Sequence, residues 1–291
     1  MKHFSLSKQL LAIAALVVAI QTPALAQLKG DTYAQAKASK SANVTFTYIE
    51  TPGFTEKNKA GNMSGFCVDL MSAFANWLKQ EEGITLNVSY DHTSSTDFKK
   101  FMNSVRVSQG GVFGLGNVTI TEERKQQYNF SQPFITNVAI LVTHKNVPTL
   151  ENISQIGTTF AGMKAVSVKA TLNEQRLNNI KNKYMPELTY QYVPSSVAAL
   201  NAVAKDPSLF ANLDFTYYLE ALKQGMPIKR HPAGDESSEH FGIVMPKNSD
   251  WSAAMDRFMA SGFVGGTEYR QMVARNLGGN ALKLLDAVAS R

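Results

Sequence analysis

The period of hydrophobic residues constrains this chain more than any other feature, because it switches repeatedly between strand-like and helix-like spacing. Val44 to Ile49 alternates and is rich in β-branched and aromatic residues, the pattern of a strand. Gly61 to Gly65 reads as a turn. From Phe66, apolar residues at 66, 70, 74, 77 and 78 fall on one face of a helix that ends before Gly83. Ile84 to Tyr90 alternates again. Ser94 to Asp97 has capping-box spacing, and Phe98, Phe101, Met102 and Val105 follow at i, i+3, i+4 and i+7. Val112 to Leu115 is a third strand. After a strand at Val138 to Val142, a second series begins, with strands at 164–168, 188–192 and 209–213. Helices are expected from the Thr171–Glu174 capping box, from Ser195 and from Phe215. Phe241 to Met245 reads as a returning strand, and three closing helices follow around 251–258, 269–277 and 281–288. Strands alternating with helices imply an α/β chain with mostly parallel, covered sheets.

Two such series, the first interrupted by the second, imply two lobes. The expected first lobe is 43–142 plus 242–291, and the second is 143–241. Residues 27–42 are polar and rich in Ala and Lys, the composition of a loose lead-in. The chain leaves the first lobe near 142 and returns near 242, so two adjacent strands form a hinge that permits closure around a ligand.

The first 26 residues have the layout of an export signal: Lys2 and Lys8, an apolar run from Leu10 to Ile20, then Ala24-Leu25-Ala26. The alternative is an uncut membrane anchor, but the run is short for a span and Pro23 follows it. Cleavage after Ala26 and a periplasmic location are therefore expected. Removing the segment lowers the formal net charge of +6 by its two lysines. There is no Lys/Arg run and no interleaving of basic and aromatic residues, so nucleic acid is not an expected partner. Cys67 is the only cysteine, which excludes an internal disulfide and points to a small buried hydrophobe. With neither CxxC nor HExxH, and five scattered histidines, no metal and no cofactor is expected.

The richest stretch is 116–134, Gly-Asn-Val-Thr-Ile-Thr-Glu-Glu-Arg-Lys-Gln-Gln-Tyr-Asn-Phe-Ser-Gln-Pro-Phe. A strand runs into a helix start here, which leaves backbone N–H groups unpaired. Arg124 adds a planar, permanently charged fork that matches a carboxylate. The stretch resembles the "T-I-T-x-x-R…F-S-x-P-[YF]" signature of periplasmic polar amino-acid binding proteins, the family 3 solute-binding proteins of ABC importers. Gly-Phe-Cys-Val-Asp-Leu (65–70) and Phe-Gly-Ile-Val-Met-Pro-Lys (241–247) resemble two further segments of that family. The resemblance covers most of the chain after residue 26 and implies a two-lobed periplasmic-binding-protein-like (type II) fold with a two-strand hinge.

A free amino acid is a zwitterion, and a closed cleft must pair both of its charges. By the resemblance, Arg124 binds the α-carboxylate; the alternative is a surface ion pair with Glu122 or a nearby acid. Thr119 reaches the ligand with its N–H and hydroxyl, or else caps the following helix, a role more apt for Thr121. Asn117 stands where the family has a small residue whose carbonyl meets the ammonium. Thr171, in Ala170-Thr171 where the family more often shows Gly-Thr, offers its N–H to the carboxylate or serves only as a cap. Asp214 resembles the family's carboxylate for the ammonium, or caps the helix at Phe215. Lys169 adds a cation at a strand end, or is simply solvated. Phe54 lies in Thr-Pro-Gly-Phe, where relatives carry an aromatic that packs on the ligand. Glu50, Asp91 and His92 end the first two strands, where such folds point residues at the cleft. Glu50 and Asp91 suit a cationic or amide side chain, so basic amino acids and glutamine rank ahead of acidic ones.

The expectation is a monomeric, non-enzymatic binding protein that captures a polar amino acid or similar small carboxylate and delivers it to an inner-membrane ABC permease. Two rivals use the same scaffold: an enzyme like the cyclohexadienyl dehydratases, with Glu50 or His92 as acid or base, and a ligand sensor for a membrane receptor.

Overall fold

The computed structural model describes residues 27–289; the export segment at 1–26 lies outside the described residues. The chain opens with α1 (Tyr33–Ser39), β1 (Ser41–Tyr48), a small hairpin of β2 (Glu56–Lys57) and β3 (Met63–Ser64), and α2 (Phe66–Glu81). Next come β4 (Thr85–Asp91), α3 (Phe98–Val107), β5 (Val112–Leu115), α4 (Glu122–Gln127) and β6 (Tyr128–Phe130). The middle of the chain holds β7 (Ile135–His144), α5 (Ile156–Thr159), β8 (Lys164–Ser167), α6 (Leu172–Tyr184), β9 (Tyr190–Tyr192) and α7 (Ser196–Lys205). It continues through β10 (Leu209–Asp214), α8 (Phe215–Lys223), β11 (Ile228–Arg230) and β12 (Glu236–Phe241). The last elements are β13 (Val244–Pro246), α9 (Ser252–Phe258), α10 (Thr267–Leu277) and α11 (Gly279–Ala289).

Apart from the β2–β3 hairpin, the strands form two sheets. One has the order β4-β1-β5-β13-β6, the other β11-β7-β10-β8-β9 with β12 also paired to β7. Both are mixed rather than mostly parallel: β1 runs parallel to β4 and β5, but β13 is antiparallel to β5 and β6, and β7 is antiparallel to β10, β11 and β12. The antiparallel strands are the ones that pass between the sheets, and their return direction sets the pairing. The fold class is α/β with two lobes.

The crossing differs from the sequence reading in position. β7 belongs to the second sheet from Ile135 onward, so the chain leaves the first sheet before residue 142. The return at 241–245 is two strands in different sheets, β12 and β13, separated by Gly242 and Ile243. A Cβ at 242 would sit 2.8 Å from Ile120 Cδ1 and 3.3 Å from Ser131 O, so glycine relieves crowding where the two passages between the sheets run side by side. The passages are bonded to each other: Ser131 N–H donates to Ile243 O at 2.9 Å and Phe134 N–H to Phe241 O at 3.0 Å.

Residues 27–42 are not loose throughout. Thr32 and Gln35 form a capping box on α1, and the Asp250 carboxylate accepts the N–H groups of Tyr33 (2.8 Å) and Ala34 (3.0 Å). Tyr33 and Ala36 are buried, so a helix that composition makes look polar is held by its cap and a distant acid. The cap of α3 is Asp97, which accepts Lys100 N–H at 2.9 Å, rather than Ser94. Beneath the first sheet, Phe74, Phe113 and Trp251 pack edge to face, with Phe113 and Trp251 5.7 Å apart. Cys67 is buried on α2, and burial pushes its thiol up to about 12. Among the described residues no helix is long and apolar enough to cross a membrane.

Candidate functional site

The cleft lies where the ends of β1, β5 and β10 meet the first turns of α6, α7 and α8. It contains about 450 Å³ of empty space, part of it open to solvent. Gly116 makes the turn out of β5 at φ +148°, and a Cβ there would sit 2.6 Å from Ile49 Cγ2. The turn brings Asn117, Thr119 and Arg124 to one wall of the cleft, while Thr171 and Asp214 stand on the other. The walls touch. Phe98 N–H donates to Pro194 O at 3.3 Å, and the Arg124 guanidinium reaches Ala170 O at 3.4 Å.

Arg124 makes no ion pair with Glu122, which pairs with Lys125 at 2.8 Å. Its protein partners are neutral: Thr119 O at 2.8 Å, Ala170 O, and the face of Phe98 at 5.4 Å. Among the described residues no carboxylate lies within ion-pair distance of it. Burial lowers its pKa below the ordinary arginine range, the mark of a cation short of countercharge. Thr121, not Thr119, caps α4, accepting Arg124 N–H at 3.1 Å.

Asp214 ends β10 and is 6% exposed. It occupies the N-cap position of α8 but its side chain makes no capping bond. Instead its carboxylate accepts both Asn137 Nδ2, at 2.7 Å, and Asn117 Nδ2 from across the cleft. Asn117 Oδ1 in turn accepts Thr51 Oγ1 at 2.9 Å. Burial pushes the Asp214 carboxyl up to about 6, against the opposing pull of Arg176 and the two amides.

Thr171 caps α6: its hydroxyl accepts Glu174 N–H at 3.2 Å. Glu174 reaches past it to Ala170 N–H, at 2.8 Å, so the box closes one residue early and engages Ala170 rather than Thr171. Ala170 takes φ +61°, a left-handed conformation that strains a residue with a side chain. That strain sits where the sequence has Ala in place of glycine.

Five of the nominated residues do not line this cleft. Phe54 is fully buried among Phe66, Phe134 and Phe241, because the Gly53 turn (φ +73°) sends its ring back into the core. Glu50 is half-buried, its N–H bonded to Ser95 O at 2.7 Å. His92 is exposed, and its Nδ1 bonds the Tyr48 hydroxyl at 2.8 Å. Lys169 is exposed and lies over the Tyr192 ring at 4.7 Å. Asp91 accepts Thr47 Oγ1 at 3.0 Å instead of facing the cleft.

The structure adds residues that sequence reasoning passed over. Phe98 and Tyr217 supply aromatic surface, and Asn173, Ser195 and Ser196 supply polar groups. Their shared signal is position: each lies in or beside the first turn of a helix whose start faces the cleft.

Residues 44–273 match the bacterial extracellular solute-binding proteins, family 3. A probable histidine-binding protein of Neisseria gonorrhoeae is 24% identical over 207 residues, 69% of this chain and 70% of that protein. Among solved structures, the arginine-, lysine-, histidine-binding protein of Geobacillus stearothermophilus has a TM-score of 0.65 at 19% identity, covering 83% of this chain and 99% of that one. An ancestral amino acid-binding protein, a precursor of cyclohexadienyl dehydratase, has a TM-score of 0.62 at 16% identity, covering 81% and 95%. These structural likenesses establish the two-lobed fold. With a match over most of its length, the chain belongs to the family 3 extracellular solute-binding proteins of bacteria.

Proposed function

We propose that this protein captures an amino acid by closure of its two lobes and hands it to an inner-membrane ABC permease. The carrying observation is the placement of one cation, Arg124, and one acid, Asp214, on facing walls of a cleft whose walls touch. Arg124 is bonded only to carbonyls and an aromatic face, so its fork retains capacity for a ligand carboxylate. The Asp214 carboxylate has further lone pairs beyond those on the two amides and takes the ammonium. Thr119 and the N-terminus of α6 at Thr171 flank the same position. Residues 1–26 direct export and are removed, and the protein works as a monomer in the periplasm. The lobes move about the paired passages near 131–135 and 241–243.

The name of the histidine-binding relative and those of the amino-acid-binding neighbours support the ligand class. One observation favours the enzymatic rival: a carboxyl near 6 in a cleft is suited to proton transfer. Its oxygens are held by two asparagines, however, and neither Glu50 nor His92 lines the cleft to complete an acid–base pair. Binding is the better account. The test is a thermal-shift screen of refolded protein against the twenty amino acids, with prephenate and arogenate turnover measured alongside. A ligand that binds only the folded state raises the melting temperature, and no turnover is expected. A flat response to every amino acid contradicts the proposal, as does turnover.

A further inference from the structure

We infer that the cleft selects an amino acid whose side chain is uncharged and carries a hydrogen-bond acceptor, and rejects those with charged side chains. The inference rests on the amino-acid reading above. Among the described residues, Arg124 and Asp214 are the only charged side chains lining the cleft. One guanidinium matches one carboxylate and one carboxylate matches one ammonium, so the backbone of a zwitterion uses both. A second ligand charge would be buried without a partner. The acids that sequence placed nearby do not supply one: Asp91 is turned to Thr47 and Thr93, and Glu50 is absent from the lining.

The rest of the lining is neutral. Ile49, Phe98 and Val168 are apolar, and Asn173, Ser195 and Ser196 are polar. Asn173 has a defined orientation, because Arg176 donates to its Oδ1 at 2.6 Å. Its Nδ2 is therefore the end with bonding capacity to spare, and a donor on the wall calls for an acceptor on the ligand. Arg176 itself is 5% exposed, stands behind Asn173 and is already paired with Glu239 and Glu236, so it offers no free charge to an anionic side chain in the cleft. An amide or hydroxyl side chain meets all of these conditions. The arginine, lysine and histidine named for one structural neighbour do not.

The experiment is titration calorimetry of ligand-stripped protein with glutamine, asparagine, serine, threonine, arginine, lysine, glutamate and aspartate. The four neutral probes include the tightest ligand, and the four charged probes bind weaker on the order of 100-fold, the consequence of burying an unpaired charge. Ser196→Asp supplies the missing acid at the first turn of α7, where an acidic residue favours the helix and the fold is kept. That variant gains affinity for arginine or lysine by about tenfold or more, as a new opposite charge in the cleft requires. A charged amino acid as the tightest ligand of the unaltered protein overturns the inference and leaves the amino-acid reading standing. Unchanged charge preference in folded Ser196→Asp overturns it too. Silence from all eight probes, with none of the other amino acids raising the melting temperature, overturns the reading and the inference together.

Discussion

Two arginines, Arg124 and Arg176, are both largely removed from water, yet the protein treats them in opposite ways. Arg176 is matched inside the chain. It pairs with Glu239, meets Glu236 at 3.4 Å, and donates to Asn173 at 2.6 Å. Arg124 is given two carbonyl oxygens and an aromatic face, and no acid. A buried guanidinium with its countercharge is a structural strut, whereas one without it fits the role proposed for Arg124, a binding group for a carboxylate from outside. The same contrast holds for the acids. Glu239 is committed to Arg176, while Asp214 is held only by neutral amides and has its carboxyl pushed up to about 6.

The largest effect expected from breaking this contrast is on stability. Arg176→Ala leaves Glu239 without its cation, a loss of about 3–5 kcal/mol. Urea unfolding of the variant reads it directly, and an unchanged midpoint would place Arg176 outside the structural role. Asp214→Asn comes next and has two signatures. In the protein alone, the raised pKa of Asp214 is a stabilising term present below pH about 4 and lost as pH rises through about 6, so the wild type gives up as much as about 3 kcal/mol that the variant keeps. The melting temperature of the variant relative to wild type therefore climbs between pH 4 and pH 7. Affinity for the ligand found in the screen moves the other way: in the wild type it rises about tenfold from pH 5 to pH 7, as the carboxylate ionises, and in Asp214→Asn it is weak and flat.

Asn117→Ala has a smaller effect. Removing a donor to the ionised form of Asp214 moves the midpoint of that pH dependence upward, by a fraction of a unit to about one unit. A midpoint that falls or stays put would show that the cross-cleft amide does not act on the acid. Lys169→Ala is the smallest. Its ammonium lies over Tyr192 and outside the cleft, so affinity changes less than about twofold at 0.15 M salt.

The two arginines also show what could be read from sequence. Arg124 lay in a motif whose chemistry is local: strand end, glycine, threonine cap and guanidinium within ten residues. Local geometry of that kind follows from the order of residue types. Asp214 was legible for a similar reason, as an acid directly after an apolar strand. Arg176, on α6, carried no such signal, because its acidic partners Glu236 and Glu239 lie about sixty residues further along the chain, on β12. Phe54 failed for a different reason. An aromatic after a Pro-Gly turn fits a cleft or a core equally well by pattern, and the direction of the turn decides between them. The expected 241–245 strand is broken at Gly242 because the chain changes sheets there, a crossing that no local pattern records. The strand–helix order itself was legible almost throughout, since hydrophobic period is a local property; the mixed direction of the strands depended on how the chain crosses between sheets.

The most direct test of the account compares Arg124→Ala with the wild type by differential scanning calorimetry, each alone and with every one of the twenty amino acids at 1 mM. The account predicts melting temperatures for the two proteins alone that agree within a few degrees, because Arg124 satisfies no acid in the fold. It predicts a clear upward shift for the wild type with its preferred amino acid. The variant should show none, since loss of a buried ion-pair partner costs about 2–5 kcal/mol of binding. A variant that melts far lower on its own would make Arg124 structural like Arg176, and one that keeps the full ligand shift would remove it from the binding site.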